Sequence, residues 1–269
     1  MDQRLQLPRT LNRKIWRAVM EFGLIDRGDR ILVGFSGGKD SSFLLYALRS
    51  LQLHNRRLSF SMAAVTLDAG FAADFPPAAM QAYTADLGVE WHVIRTQLAR
   101  LLENGKDVCA RCSFFRRGAI FRFARENGFN RVAFAHHHDD AVETFLMSIL
   151  YCGKIQTFLP RTDLEGGLSI IRPLVYLREA EIRRQQSLGG FSPVASGCPY
   201  ETGTQRKHVK DLIRRLCREN RFVYDNLTNA MRAGRILELW PPLPDKSEMR
   251  AIHQRYFAAD PSDYPDPLT

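Results

Sequence analysis

Residues 31–42 read ILVGFSGGKDSS, and this stretch limits the possible folds more than any other part of the chain. The apolar run from Arg30 to Phe35 reads as a buried strand. It breaks at Ser36, Gly37 and Gly38, and a helix is predicted over 41–51 with Phe43, Leu44, Ala47 and Leu48 inward. A strand that passes through a glycine turn into a helix opens a parallel α/β sheet. The same turn is an anion site. Gly37 and Gly38 allow close backbone approach, and the first helical amides have no partner within the helix. Ser36 and Ser41 add hydroxyls, and Lys39 adds positive charge. The stretch nevertheless departs from the phosphate loop G-x-x-x-x-G-K-[ST], because Val33 holds the first glycine position and Asp40 follows the lysine. A carboxylate there repels phosphate unless it serves a Mg²⁺ ion or caps the helix.

The alternation continues along the chain. Leu11, Ile15, Ala18, Val19 and Phe22 recur at helical spacing and predict an amphipathic helix over 10–22. Strands are expected at 58–67, 89–94 and 131–135, with helices at 78–87, 111–127 and 139–151. This order predicts a doubly wound, mostly parallel α/β sheet with helices on both faces. After Gly153 the pattern weakens to one strand at 168–173, a short helix at 179–188 and a basic helix at 206–219. Three segments are expected: an N-terminal helical segment (1–29), the α/β domain (30–220), and a C-terminal extension (221–269). The extension is expected to be extended or disordered from Pro241, where Pro and Asp accumulate.

Five cysteines in 269 residues argue against a disulfide framework and for a reducing, cytoplasmic compartment with metal or redox use. The opening MDQRLQLPRT lacks the apolar core of a signal peptide, and no apolar run approaches the ~20 residues that cross a bilayer. CARCSFFRRG at 109–118 carries a C-x-x-C pair, half of a metal site. No second pair follows, so Cys152, Cys198 and Cys217 are the candidates to complete it. Cys217 lies beside Leu216 on a helix and reads as a small buried thiol. Cys152 lies beside Gly153 just after a helix and stays undecided. Cys198 sits in the turn SGCPY.

The net charge of +9 points to a polyanionic partner, with nucleic acid favoured over a merely solvated basic surface. Arg111, Arg116 and Arg117 crowd the segment after the cysteine pair, and Arg206, Lys207 and Lys210 begin a second basic stretch. These are candidate RNA-backbone contacts, which position nucleic acid without reading its sequence. HHHDD at 136–140 follows a strand and opens a helix, at the edge where open α/β sheets bind ligands. Read alone, it fits a His/Asp metal site or carboxylates that offset a helix dipole. Asp68 ends the second strand on the same rim.

SGGKDS at 36–41 resembles the PP-loop of the ATP pyrophosphatases, which cleave ATP between its α- and β-phosphates. GDRILVGFSGGKDSS (28–42), CARC with Arg116-Arg117-Gly118, HHHDDAVETF (136–145), YCGK (151–154), IRPLVYLRE (171–179), CPYETGTQR (198–206) and VKDLIR (209–214) together resemble one branch, the tRNA 2-thiocytidine synthetases. The resemblance implies that Ser36, Gly37, Gly38 and Ser41 hold the pyrophosphate of ATP, with Asp68 and His136 at the nucleotide. It implies catalytic roles for Lys39, Asp40 and Asp140, and Mg²⁺ at Asp40, Asp139 and Asp140. It also implies a [4Fe–4S] cluster on Cys109, Cys112 and Cys198. The partners implied are tRNA and a sulfur donor such as a cysteine desulfurase. The activity implied is adenylylation of a cytidine C2 oxygen in the anticodon loop, followed by sulfur transfer. Ala135, Cys152 and Ala195 depart from the family pattern. They keep open another acceptor, such as a uridine or a small molecule. From another class, a non-catalytic RNA-binding or redox-sensing iron–sulfur protein stays open. The N-terminal helix would either form a homodimer or cover the sheet.

Overall fold

The computed structural model describes residues 5–55, 58–71, 75–102, 108–185, 193–194, 205–232 and 244–258. Along the chain these form α1 (Arg9–Glu21), β1 (Arg30–Gly34), α2 (Lys39–His54), β2 (Ser61–Asp68), α3 (Ala78–Asp86), β3 (Glu90–Arg95), α4 (Leu98–Leu102) and α5 (Val108–Glu126). There follow β4 (Arg131–Ala133), α6 (His138–Cys152), β5 (Arg161–Asp163), β6 (Ser169–Ile171), α7 (Glu179–Arg184), α8 (Gln205–Glu219), α9 (Val223–Ala230) and α10 (Lys246–Ala258).

The six strands form one sheet in the order β3-β2-β1-β4-β6-β5. All neighbours are parallel except β5, which runs against β6. The doubly wound architecture expected from the alternation is therefore present. Ile31, Leu32 and Val33 are completely buried, as expected of a central parallel strand covered on both faces. On one face Leu32, Ala63, Val65 and Val132 pack with Ile120 and Ala124 of α5. On the other, Ile31, Val33, Ala64 and Ala133 share a core with residues of α1, α2 and α3. The stripe Leu11, Ile15, Ala18 and Val19 of α1 lies in that core. Of the two roles open to the N-terminal helix, its apolar face thus covers the sheet. Each fully buried Val, Leu or Ile side chain among these contributes about 1.5–3 kcal/mol.

Two elements differ from expectation. β5 is three residues long, too short to carry a periodic signal, and is held by pairing Thr162 with Ile170. Residues 246–258 form α10, where the Pro- and Asp-rich composition suggested extended chain. A capping box explains it: Asp245 Oδ1 accepts from the Ser247 and Glu248 amides, and Glu248 Oε2 accepts from the Asp245 amide. Residues 1–231 make one compact unit and 232–269 another. Within the first, α9 packs through Tyr224 and Leu227 onto Val142, Val209 and Ile213 of α6 and α8.

Candidate active site

The chain leaves β1 toward β2 on one side and enters β4 on the other, so the loops after these two neighbouring strands diverge. Such a point opens a crevice at the carboxyl edge of the sheet. It brings Ser36–Asp40, which follow β1, beside His136–Asp140, which follow β4.

The loop after β1 is shaped by its own hydroxyls. The Ser36 amide donates to Ser41 Oγ at 3.2 Å, and the hydroxyls of Ser41 and Ser42 donate to the Gly38 carbonyl at 3.0 and 2.9 Å. Gly37 has φ +78°, and a Cβ there would lie 2.9 Å from Met80 Sδ. Two helices start in the crevice, and they differ. The N-terminus of α6 is closed by a capping box between His137 and Asp140, whereas that of α2 has no side-chain cap. The amides of the first turn of α2 are therefore the open anion site.

A chain of ion pairs surrounds that site. Lys39 Nζ lies 2.8 Å from Asp40 Oδ2 and 3.2 Å from Glu179 Oε1. Glu179 also holds Lys210 at 2.6 Å, and Lys210 lies 3.9 Å from Glu143. Asp139 pairs with Arg178 at 3.0 Å and accepts from the Glu179 amide at 2.7 Å. Asp140 caps the His137 amide at 2.9 Å and pairs with Arg206 at 3.0 Å. Burial opposes ionisation of Glu179, but the hydrogen bond from Lys210 and the charge of Lys39 outweigh it and bring the carboxyl down to about 2. Burial likewise opposes the charge on Lys39, and the pull of Asp40 and Glu179 prevails, raising its pKa. Glu143 is pushed up to about 7, chiefly by burial and against the nearby Lys210.

Two polar atoms stand out by lacking a partner. Asp40 Oδ1 is buried without a hydrogen bond, 3.9 Å from His137 Nε2. His136 Nδ1 is also buried and unbonded. Its ring lies between those of Phe134 and Phe158, with centroids at 6.0 and 5.1 Å. Burial, then the charge of Arg172, lowers the His136 pKa to about 4, so the ring is neutral at pH 7. Buried polar atoms are nearly always bonded, so Asp40 Oδ1 and His136 Nδ1 are candidate ligand contacts.

The other expected site residues are distributed as follows. Cys109 and Cys112 lie one turn apart in the first turns of α5. Cys112 is half-buried against Leu67, Ala69 and Phe71 at the end of β2. The pair therefore stands on the same carboxyl edge as the loop. Cys198 lies outside the described residues. Cys152 is exposed and Cys217 is half-buried. Asp68 Oδ1 accepts the Gly70 amide at 2.8 Å and shapes the turn after β2. Arg111, Arg116, Arg117 and Lys207 are exposed. Arg206 and Lys210 instead turn toward carboxylates, because they share the face of α8 that carries the buried Val209 and Ile213. Among the described residues, no three His, Cys, Asp or Glu side chains are gathered as a metal site. Asp40, Asp139 and Asp140 are thus close along the crevice but engaged by different cations.

The profile of the PP-loop domain family matches residues 8–192. The tRNA-cytidine(32) 2-sulfurtransferase of Photorhabdus laumondii is 35% identical over 225 residues, which cover 80% of this chain and 73% of that one. The enzyme of the same name from Stenotrophomonas maltophilia is 33% identical over 232 residues, covering 84% and 75%. This chain belongs to the tRNA-cytidine(32) 2-sulfurtransferase family of PP-loop enzymes. In fold it also matches the U34-tRNA thiolase NcsA of Methanococcus maripaludis, a structure with its [4Fe–4S] cluster. That match has a TM-score of 0.68 at 19% identity and covers 86% of this chain and 79% of that one.

Sequence reasoning had no role for Glu179 or Tyr224. Glu179 ends the stretch IRPLVYLRE and opens the helix expected at 179–188, with no role of its own assigned. Its importance comes from Lys39 and Lys210, which reach it from two distant segments. Tyr224 lies under the Arg178 guanidinium, 3.3 Å from the ring centroid, and its hydroxyl meets His138 Nδ1 at 2.6 Å.

Proposed function

We propose that this protein is an ATP-dependent tRNA sulfurtransferase that converts a cytidine of the anticodon loop to 2-thiocytidine. The observation that carries the reading is a convergence on one sheet edge. The uncapped N-terminus of α2 with Lys39 and the thiol-bearing start of α5 both stand there. ATP lies with its β- and γ-phosphates on the amides of 38–41, where helix-terminal N–H groups favour an anion. The cytidine C2 oxygen attacks the α-phosphorus, the bond to the β-phosphate breaks, and pyrophosphate leaves. Lys39 offsets the charge that develops on that leaving group. Sulfur at the sulfide level then adds at C2, and AMP departs with the former C2 oxygen.

Asp40 fits a Mg²⁺ ion, because its Oδ1 is buried without a partner beside the phosphate loop. Mg²⁺ there would neutralise adjacent phosphate oxygens, with Asp139 and Asp140 on the opposite wall of the crevice. His136, neutral and with an open Nδ1, offers the nucleotide a hydrogen bond. Cys109 and Cys112, one helical turn apart, are soft donors suited to an iron–sulfur centre, with Cys198 as third ligand. A [4Fe–4S] cluster held by Cys109, Cys112 and Cys198 would supply iron–sulfur chemistry for the sulfur transfer. Exposed Arg111, Arg116, Arg117 and Lys207 meet the tRNA backbone. A cysteine desulfurase in the cytoplasm would deliver the sulfur as a persulfide, with a two-electron reductant such as a thiol pair bringing it to the sulfide level.

The test is anaerobic incubation with ATP, Mg²⁺, a sulfide source and a tRNA transcript, followed by mass spectrometry of the nucleosides. 2-Thiocytidine is expected. ATP turnover with thiolation confined to uridine would replace the acceptor, and unmodified tRNA would overturn the reading.

A further inference from the structure

A cleft of about 600 Å³ is lined by residues of α6, α7, α8 and α9, among them Glu179, which pairs with Lys39. Its lining holds six cationic side chains and three carboxylates. The carboxylates are already answered. Asp139 is paired with Arg178 and Glu179 with Lys210, while Glu143 is a buried carboxyl that burial holds largely protonated up to about pH 7. The remaining cations stand on the rim. Arg184 and Arg218 are exposed and have no carboxylate partner among the described residues. Arg183 and Arg214 keep more than half of their side chains in solvent, in single exposed pairs with Glu179 and Asp211, worth little against a phosphate. Tyr224, fixed beneath Arg178, forms a rigid wall.

We propose that this cleft seats the phosphodiester backbone of the RNA substrate, with Arg184 and Arg218 as its phosphate-binding forks. The assignment rests on the tRNA reading above and adds a docking site to it. Guanidinium groups match phosphate oxygens in geometry as well as charge. A flexible polyanion also suits a rim of cations on two helices better than a compact ligand does. Glu179 lies in the lining of the cleft and touches Lys39. A backbone seated there therefore runs one side chain away from the ATP site, which brings the acceptor base to the crevice.

The test compares the parent protein with the double variant Arg184→Gln/Arg218→Gln in tRNA binding at several salt concentrations. Both side chains are exposed, so the unfolding temperature should stay the same. Losing two phosphate contacts should reduce the slope of log K against log salt by about 1.4–1.8 and weaken binding about 10- to 30-fold near 0.15 M salt. A single Arg218→Glu reversal should weaken binding further than Arg218→Gln. A double variant with the parent's slope and affinity would overturn the proposal. A parent that binds tRNA but makes no thionucleoside would overturn only the functional reading, because the slopes would still decide the cleft. A parent that binds no tRNA would overturn both.

Discussion

Glu179, in the first turn of α7, holds the ammonium group of Lys39 at 3.2 Å, and its other oxygen holds Lys210 at 2.6 Å. One carboxylate thus ties the phosphate loop to α8. Replacing it by Gln leaves two half-buried cations without their shared partner. Charge-assisted hydrogen bonds of this kind contribute about 1.5–3 kcal/mol. Glu179→Gln should therefore lower stability by about 1–3 kcal/mol. Urea unfolding checks this as a lower midpoint at unchanged slope.

Buried Glu143 and half-buried Glu179 should respond to pH with opposite signs. The Glu179 pKa is lowered from 4.5 to about 2. Its contribution is complete above about 4.5 and is lost as pH falls toward about 2. The Glu143 pKa is raised to about 7. Its contribution is complete below about 4.5 and is lost as pH rises through about 7. Glu143→Gln should flatten the fall in unfolding free energy between pH 5 and 8, while Glu179→Gln should flatten the fall at acid pH.

Gly37 and Gly38 are adjacent but should not be equivalent. Gly37 combines φ +78° with a Cβ position 2.9 Å from Met80 Sδ, whereas a Cβ on Gly38 would meet Ser36 Oγ at an ordinary 3.6 Å. Gly37→Ala should destabilise the fold by about 1–2 kcal/mol from the left-handed backbone alone, and more if Met80 cannot yield. Gly38→Ala should remain within about 0.5 kcal/mol of the parent. Chemical denaturation of the two variants side by side is the check.

Lys39→Met keeps much of the stem volume and removes the charge at the open end of α2. Pyrophosphate release should fall about 10²–10³-fold, as when one stabiliser of developing charge is lost. The tRNA dissociation constant should stay the same, because Lys39 faces the crevice rather than the Arg184 and Arg218 rim.

Cys112→Ser should lower the iron bound after anaerobic reconstitution and abolish thiolation, while ATP binding to the loop persists. Cys152→Ala should change none of these, since Cys152 is exposed at the end of α6. Iron analysis with a nucleotide-binding assay separates the outcomes. A loss of thiolation in Cys152→Ala with full iron would assign that thiol to sulfur relay.

The alternation of apolar runs with amphipathic stretches determined the sheet, because a strand buried on both faces and a helix buried on one leave different periods in the sequence. Local chemistry determined the site as far as neighbours along the chain could. SGGKDS announced an anion loop because strand, glycines and helix start are contiguous, and CARC announced paired thiols because one helical turn sets their spacing. Other features depended on contacts between distant segments. Which of two helix starts stays open was decided by His137 and Asp140 closing α6 on themselves. Arg206 and Lys210 looked like RNA contacts, and packing of α8 on α6 turned them toward Asp140, Glu143 and Glu179. The two partners of Glu179 were not legible in IRPLVYLRE, since a carboxylate in a first helical turn looks the same whether it faces water or two lysines. A charged side chain acquires its partners only when the sheet brings separate segments to one edge, and that step belongs to the tertiary structure.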